Sequence, residues 1–326
     1  MKRPKLLILI VAVVAAVAVK TFLMDNADRA SNLDRVHCQL LQSDELQMIV
    51  GDASRDGVGG TQYCGVWSLT SKHRVFNAFG NSYAGLIPGP IRSKAPTLEY
   101  IDDRTCALIR EADKDYPTDV RAEYTVADPY YIDHKLTLTD REDARGRGCD
   151  FREVSWCCYM NSPEDSNINF ISDGNWFSYI SPEHGVGSNI APSYIPDSAL
   201  EVWPQVEGRR PFHWDRVEKR FDQPFYYGRL GNMVLILIFD NPDQLRFYCS
   251  PSGGGGSLLP GKSCPAWDFE WIIPDSDYQV GREYSFRMRL VYKRFVDEDD
   301  VLNEVRKAQT ELGFQTVGDG VGGGEL

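Results

Sequence analysis

Trp267, Asp268, Phe269, Glu270 and Trp271 alternate aromatic and acidic side chains over five residues. At the two-residue period of a strand, the three aromatics take one face and the two carboxylates the other. A carboxylate lining a groove can take a proton from a bound ligand and return one. A carboxylate facing bulk water is only a solvating group, as on the wet side of many sheets. Both readings of Glu270 stand on sequence alone. Histidine is the other residue suited to proton transfer near neutrality. His184 lies in the loop-forming stretch Ser181–Ser188, and His213 in Phe212-His213-Trp214-Asp215. Loops carry function more often than strands, so these two are the candidate acids, against the plainer reading of surface histidines. Glu270, His184 and His213 form the candidate catalytic set. Trp176, Trp203 and Trp214 sit beside Gly, Pro or charged residues. Such rings either stack on a sugar or plug the ends of a sandwich. With Arg246 and Asp268 they make up the candidate substrate contacts. His134 shares a strand face with Ile132, Leu136 and Leu138, so it is expected as a hydrogen-bonded core histidine.

Other motifs fail on context. Gly256 to Ser263 matches the P-loop expression letter for letter. That motif holds phosphate only where a helix begins at its Lys-Ser end. Here Cys264-Pro265 and then a strand-like alternation follow, so nucleotide binding is excluded. No G-x-S-x-G, H-E-x-x-H or EF-hand spacing occurs. Asp297 to Asp300 could hold a hard cation, but helix capping accounts for it more simply. No cofactor or metal is expected. Eight cysteines include no C-x-x-C pair and no zinc-ligand spacing. A Cys249–Cys264 disulfide is expected, closing the Gly-rich loop between two strand-like segments.

The elements that must position these residues are mostly strands. Val120, Ala122, Tyr124 and Val126 alternate with polar residues, as do Ile132 to Leu138 and Tyr284 to Tyr292. Val234 to Phe239 is continuously apolar, as in a strand buried on both faces. Asp297 to Leu312 carries apolar residues at helical spacing behind an acidic start, and Gly313 can close it. No βαβ alternation appears, so a parallel doubly wound sheet is not expected. The predicted fold is mainly β, a large antiparallel β-sandwich with an N-terminal signal or anchor helix and one C-terminal helix. Its predicted divisions are a signal segment or anchor (1–24), a stalk (25–60), the sandwich (61–312) and a Gly-rich tail (313–326).

The N-terminal reading rests on Lys2, Arg3 and Lys5 ahead of the uncharged apolar run Leu6–Val19, with Ala16-Val17-Ala18 at the spacing of a cleavage site. Cleaved or retained, such a segment leaves the rest of the chain secreted, periplasmic or anchored outside the cytoplasm. Contact with membrane is expected only through that segment. The 326 residues carry a net charge of −12 and no basic stripe, which argues against nucleic acid as a partner. Hydrophobic residues at 42% suffice for a sizeable core.

The strand order resembles that of galactose-mutarotase-like supersandwich domains, over about two thirds of the chain. From Thr97 to Asp140 come a strand (Thr105–Glu111), a second (Val120–Val126), a turn at Pro129 and a third (Ile132–Thr139). From Trp267 to Tyr292 come the acid-bearing strand with Glu270, then Pro274, Gly281 and a long final strand. The resemblance implies sugar chemistry of an epimerase-like or lyase-like kind, with Glu270 as base and His184 or His213 as acid. The alternative is a non-catalytic module that binds glycans or another protein.

Overall fold

The computed structural model describes residues 37–53, 64–80, 84–92, 94–146, 149–196, 216–240, 242–251 and 264–314. Among these the strands run, in chain order, β1 (Cys38–Gln42), β2 (Leu46–Gly51), β3 (Gly65–Ser71), β4 (Ile87–Pro88), β5 (Thr97–Tyr100), β6 (Thr105–Arg110), β7 (Thr118–Ala127), β8 (Tyr131–Asp140) and β9 (Phe151–Cys157). They continue with β10 (Ile168–Ser172), β11 (Asn175–Tyr179), β12 (Asn189–Ile190), β13 (Phe225–Leu230), β14 (Met233–Phe239), β15 (Leu245–Ser250), β16 (Ala266–Pro274) and β17 (Glu283–Arg294). A single helical turn, α1 (Gly89–Arg92), follows β4, and the longer helix α2 (Glu298–Leu312) follows β17.

Every pairing between these named strands is antiparallel. Nine strands form one sheet in the order β11-β10-β13-β14-β17-β8-β7-β6-β5, and five form a second in the order β12-β15-β16-β9-β4. β1, β2 and β3 make a third, smaller sheet. The alternation read from sequence explains the layering. In β7 every second side chain is buried, from Thr118 to Val126. Tyr284, Phe286, Met288, Leu290 and Tyr292 of β17 enter the core between the two large sheets. There Trp271 meets Phe286 at 5.1 Å between ring centres, and Phe239 meets Phe269 at 4.7 Å. β14 is buried on both faces, as its continuous apolar run requires. Leu235, Leu237 and Phe239 join the inter-sheet core, while Val234, Ile236 and Ile238 join a second core beneath α2.

Helix α2 has the ends its sequence calls for. The Asp297 side chain accepts from the Asp300 amide at 2.8 Å, and Gly313 stops the helix at φ 61°. Val301, Val305 and Ala308 pack on the outer face of the nine-stranded sheet. The Asp297–Asp300 acids are therefore capping and first-turn residues.

His134 is the core histidine its neighbours imply. Nδ1 donates to the Glu123 carbonyl at 2.8 Å, and Nε2 accepts from the Trp156 indole at 2.9 Å. Burial lowers its pKa to about 4, against the opposing effect of the Glu123 bond. The unfolded chain, titrating near the usual imidazole value, takes up the proton first. This group's stabilising effect is therefore complete above about pH 6.5 and fades as pH falls toward 4, by on the order of 3 kcal/mol. Urea unfolding across that window is expected to show less acid sensitivity in His134→Gln than in the wild type. Equal slopes would mean that the imidazole titrates normally in the fold.

Several expectations change. Residues 38–51, assigned to the stalk, form β1 and β2, and Leu41, Met48 and Val50 enter the main core. Short apolar alternations between polar residues conceal such strands in sequence. Cys249 and Cys264 do not form the expected bridge; both are thiols. The Cys249 side chain points into the inter-sheet core beside Phe247, while Cys264 lies near Gly80. The signal or anchor helix lies outside the described residues, and no described helix is long and apolar enough to cross a membrane.

Candidate functional site

β16 divides its side chains as its alternation predicts. Trp267, Phe269 and Trp271 face the core, which settles the aromatic row as packing. Trp156 of β9 stacks on Phe269 with ring centres 5.2 Å apart. Trp267 fits because Gly228 lies beneath it; a Cβ there would come within 2.2 Å of the ring. Asp268 and Glu270 therefore point to the opposite face of the five-stranded sheet. That face is polar, yet it is not wet. Asp268 is 5% exposed and Glu270 1%, while Arg246, Tyr248, Ser250 and Asn189 are buried as well.

Register brings these groups together. Arg246 of β15 lies opposite Glu270, Tyr248 opposite Asp268, and Ser250 opposite Ala266. Asn189 of β12 lies opposite Tyr248. On the other flank, Ser155 of β9 lies opposite Glu270. The Asn189 amide donates to Glu270 Oε1 at 2.9 Å. The Arg246 guanidinium is held by the Leu245 carbonyl at 2.7 Å and the Asp243 carbonyl at 3.4 Å. Beyond β9, Arg92 of α1 donates to Cys157 Sγ at 3.0 Å and to the Tyr159 hydroxyl at 3.2 Å.

The electrostatics single out Asp268. Burial raises its carboxyl to about 7, although the Cys158 amide donates to Oδ1 at 2.6 Å and the Arg92 charge also favours the ionised form. A buried carboxyl that titrates near neutrality can give a proton and take it back. Glu270 stands two residues away on the same strand face, about 7 Å along the strand. Two carboxyl groups in different environments on one face are the raw material of an acid–base pair.

The other candidates scatter. His184 is exposed, and its Nδ1 lies 2.9 Å from Ser250 Oγ. Ser250 is two residues from Asp268 in register and four from Glu270, so His184 is anchored nearer the former by about 7 Å of strand. Trp176 lies on β11 and packs edge-on against Phe225 and Tyr227, in the core beneath α2. It does not join the carboxylates. His213, Trp203 and Trp214 lie outside the described residues. No cluster of three or more His, Cys, Asp or Glu among the described residues could hold a metal ion.

Sequence reasoning missed Asn189, Tyr248, Arg92 and Tyr159. The period-two run Glu153-Ser155-Cys157-Tyr159 was a readable sign of a second polar face. Nothing in the sequence sets it beside Asp268, because strand pairing does that.

No family model and no curated protein matches the sequence. Solved structures do resemble the fold. A candidate aldose 1-epimerase from Escherichia coli K12 aligns with a TM-score of 0.47 at 10% identity, over 79% of this chain and 99% of that one. An aldose epimerase homologue from C. elegans aligns at 0.44 and 7% identity, over 80% and 100%. A heparan sulfate lyase from Pedobacter heparinus aligns at 0.41 and 9%, over 81% of this chain and 37% of the lyase. Each of these is a likeness in fold alone, at 7–10% identity.

Proposed function

We propose that this protein catalyses an epimerase-like acid–base reaction on a sugar, at the polar face of the five-stranded sheet. One observation carries the reading: Asp268 is a buried carboxyl raised to about 7, on the same strand face as Glu270. In the reaction so envisaged, Glu270 takes the proton from the anomeric hydroxyl. The bond between the anomeric carbon and the ring oxygen breaks, and the ring oxygen takes its proton from Asp268. Rotation of the freed aldehyde and reversal of both transfers close the ring in the other configuration. Both protons are returned, so the two carboxyl groups end as they began. The acid role goes to Asp268 rather than His184, because His184 is exposed and anchored farther along β15. Arg246, Tyr248 and Asn189 offer the mixture of donors and acceptors that a polyhydroxylated ligand requires. The basic and apolar residues 2–19 support action outside the cytoplasm, which fractionation of expressing cells would check.

The test is NMR exchange between the α and β anomers of a panel of aldoses, with and without protein. Catalysed exchange is expected for at least one sugar. Glu270→Gln is expected to slow it by about 100- to 10,000-fold while sugar binding persists. Sugar binding without exchange by the wild type would instead identify a glycan-binding module.

A further inference from the structure

Beside the carboxylate face, where β9 runs past the edge covered by β4 and α1, lies a cavity of about 360 Å³. Arg110, Tyr116, Asp115, Arg152, Glu153 and Ser155 are among its lining residues. Its volume falls in the range of small-molecule sites and exceeds what one water fills.

The two arginines differ. Arg152 is satisfied: Nε and Nη2 donate to the buried Asp140 carboxylate at 3.0 and 3.4 Å, and Nη1 donates to the Glu153 carbonyl at 2.8 Å. Arg110 is not. It ends β6 on the strand face that carries Cys106 and Leu108, and only 6% of it is exposed. Nη2 reaches the Thr118 carbonyl at 3.3 Å, and the guanidinium carbon stands 5.3 Å from the Tyr116 ring centre. Nε and Nη1 have no hydrogen-bond partner. Burial lowers the pKa of the group, Asp113 and Tyr116 offset this in part, and Arg152 adds repulsion. Asp113 is itself bound by Lys94. A buried guanidinium with two idle donors is an expensive feature for a fold to keep. An anion in the cavity would satisfy both donors and the charge.

We propose that this cavity binds the carboxylate of a small ligand, with Arg110 as its anchor. The idle Nε and Nη1 donors of Arg110 suit one carboxylate, while Asp115 and Glu153 in the wall balance the two arginines and oppose any further negative charge. The site therefore suits a monoanion over a phosphate dianion. The Ser155 and Tyr116 side chains add polar groups for a hydroxylated carboxylate such as a uronate. The proposal does not depend on the epimerisation reading, since it concerns binding alone.

The test is titration calorimetry near pH 8 with acetate, D-glucuronate and inorganic phosphate. Both carboxylates are expected to bind, and phosphate at least about fivefold more weakly. Arg110→Met is expected to weaken carboxylate binding by at least about tenfold. Asp115→Asn, at an exposed position, is expected to tighten it by about twofold or more. Wild type that binds no carboxylate, or prefers phosphate, would overturn the assignment. So would unchanged affinity in Arg110→Met. Should Arg110→Met not fold, the Asp115→Asn result decides alone: tighter binding supports the site, and equal or weaker binding rejects it.

Discussion

Asp268→Asn is expected to slow sugar exchange severely and, at about pH 8, to make the protein more stable. The two effects have one cause. Burial raises the Asp268 carboxyl to about 7, whereas in the unfolded chain it titrates near the ordinary aspartate value of about 4. The native state therefore holds the proton more tightly. Its stabilising contribution is complete below about pH 4 and is lost as pH rises through 7. Above 7 the fold carries a desolvated carboxylate, at a cost of about 4 kcal/mol relative to the neutral group. Asparagine keeps the Oδ1 acceptor for the Cys158 amide and cannot ionise. Denaturant unfolding at about pH 8 is expected to give the variant a gain of roughly 2–4 kcal/mol, with no gain near pH 4. Loss of the proton donor is expected to slow the reaction by about 100- to 10,000-fold. A variant equally stable at both pH values would show that Asp268 titrates normally. A stabilised and fully active variant would remove it from the chemistry.

Glu304→Ala is expected to cause the largest loss of stability outside the aromatic core. Glu304 lies on the buried side of α2, 6% exposed. Its carboxylate accepts from the Tyr130 hydroxyl at 2.9 Å, the Tyr131 hydroxyl at 2.9 Å and Lys293 Nζ at 2.8 Å. Burial works to raise its pKa, but the Lys293 bond and then those of the tyrosines outweigh burial and hold it below the usual value. Truncation removes the acceptor of the Tyr130 and Tyr131 hydroxyls, although Tyr131 still accepts from Lys307 Nζ at 2.7 Å, and it removes one of the two carboxylates that hold Lys293. The other, Asp300 at 2.9 Å, remains. Breaking a fully buried pair costs about 3–5 kcal/mol; with Asp300 still in place, a loss of about 2–4 kcal/mol is expected in urea unfolding. Glu304→Gln retains hydrogen-bonding capacity without the charge and should fall between the two. If Glu304→Ala unfolds like the wild type, the network does not hold α2 to the sheet.

The parts of this fold that were legible in sequence are those governed by neighbours in the chain. β7, β8 and β17 showed their alternation, β14 its two-sided burial, and α2 its acidic start and closing glycine. His134 could be assigned to the core because the residues two positions away were apolar. The aromatic row of β16 was likewise readable as one face. Where the reading failed, distant partners decided. β1 and β2 passed for a stalk because their few apolar residues gain meaning only against the rest of the core. Cys249 and Cys264 bracket a loop of inviting length, but the strand carrying Cys249 turns its thiol inward. Glu270 was singled out ahead of Asp268, although Asp268 is the carboxyl whose proton affinity the fold has altered.

Sequence by itself determined which side chains share a strand face, because the pleat repeats every two residues whatever the strand packs against. It could not determine whether the face bearing Asp268 and Glu270 is wet or dry. That depends on Asn189, 81 residues away from Glu270, on the register with β15 and β9, and on the position of Arg92. The proton affinity of a carboxyl follows the local dielectric and nearby charges, and only the tertiary structure supplies both.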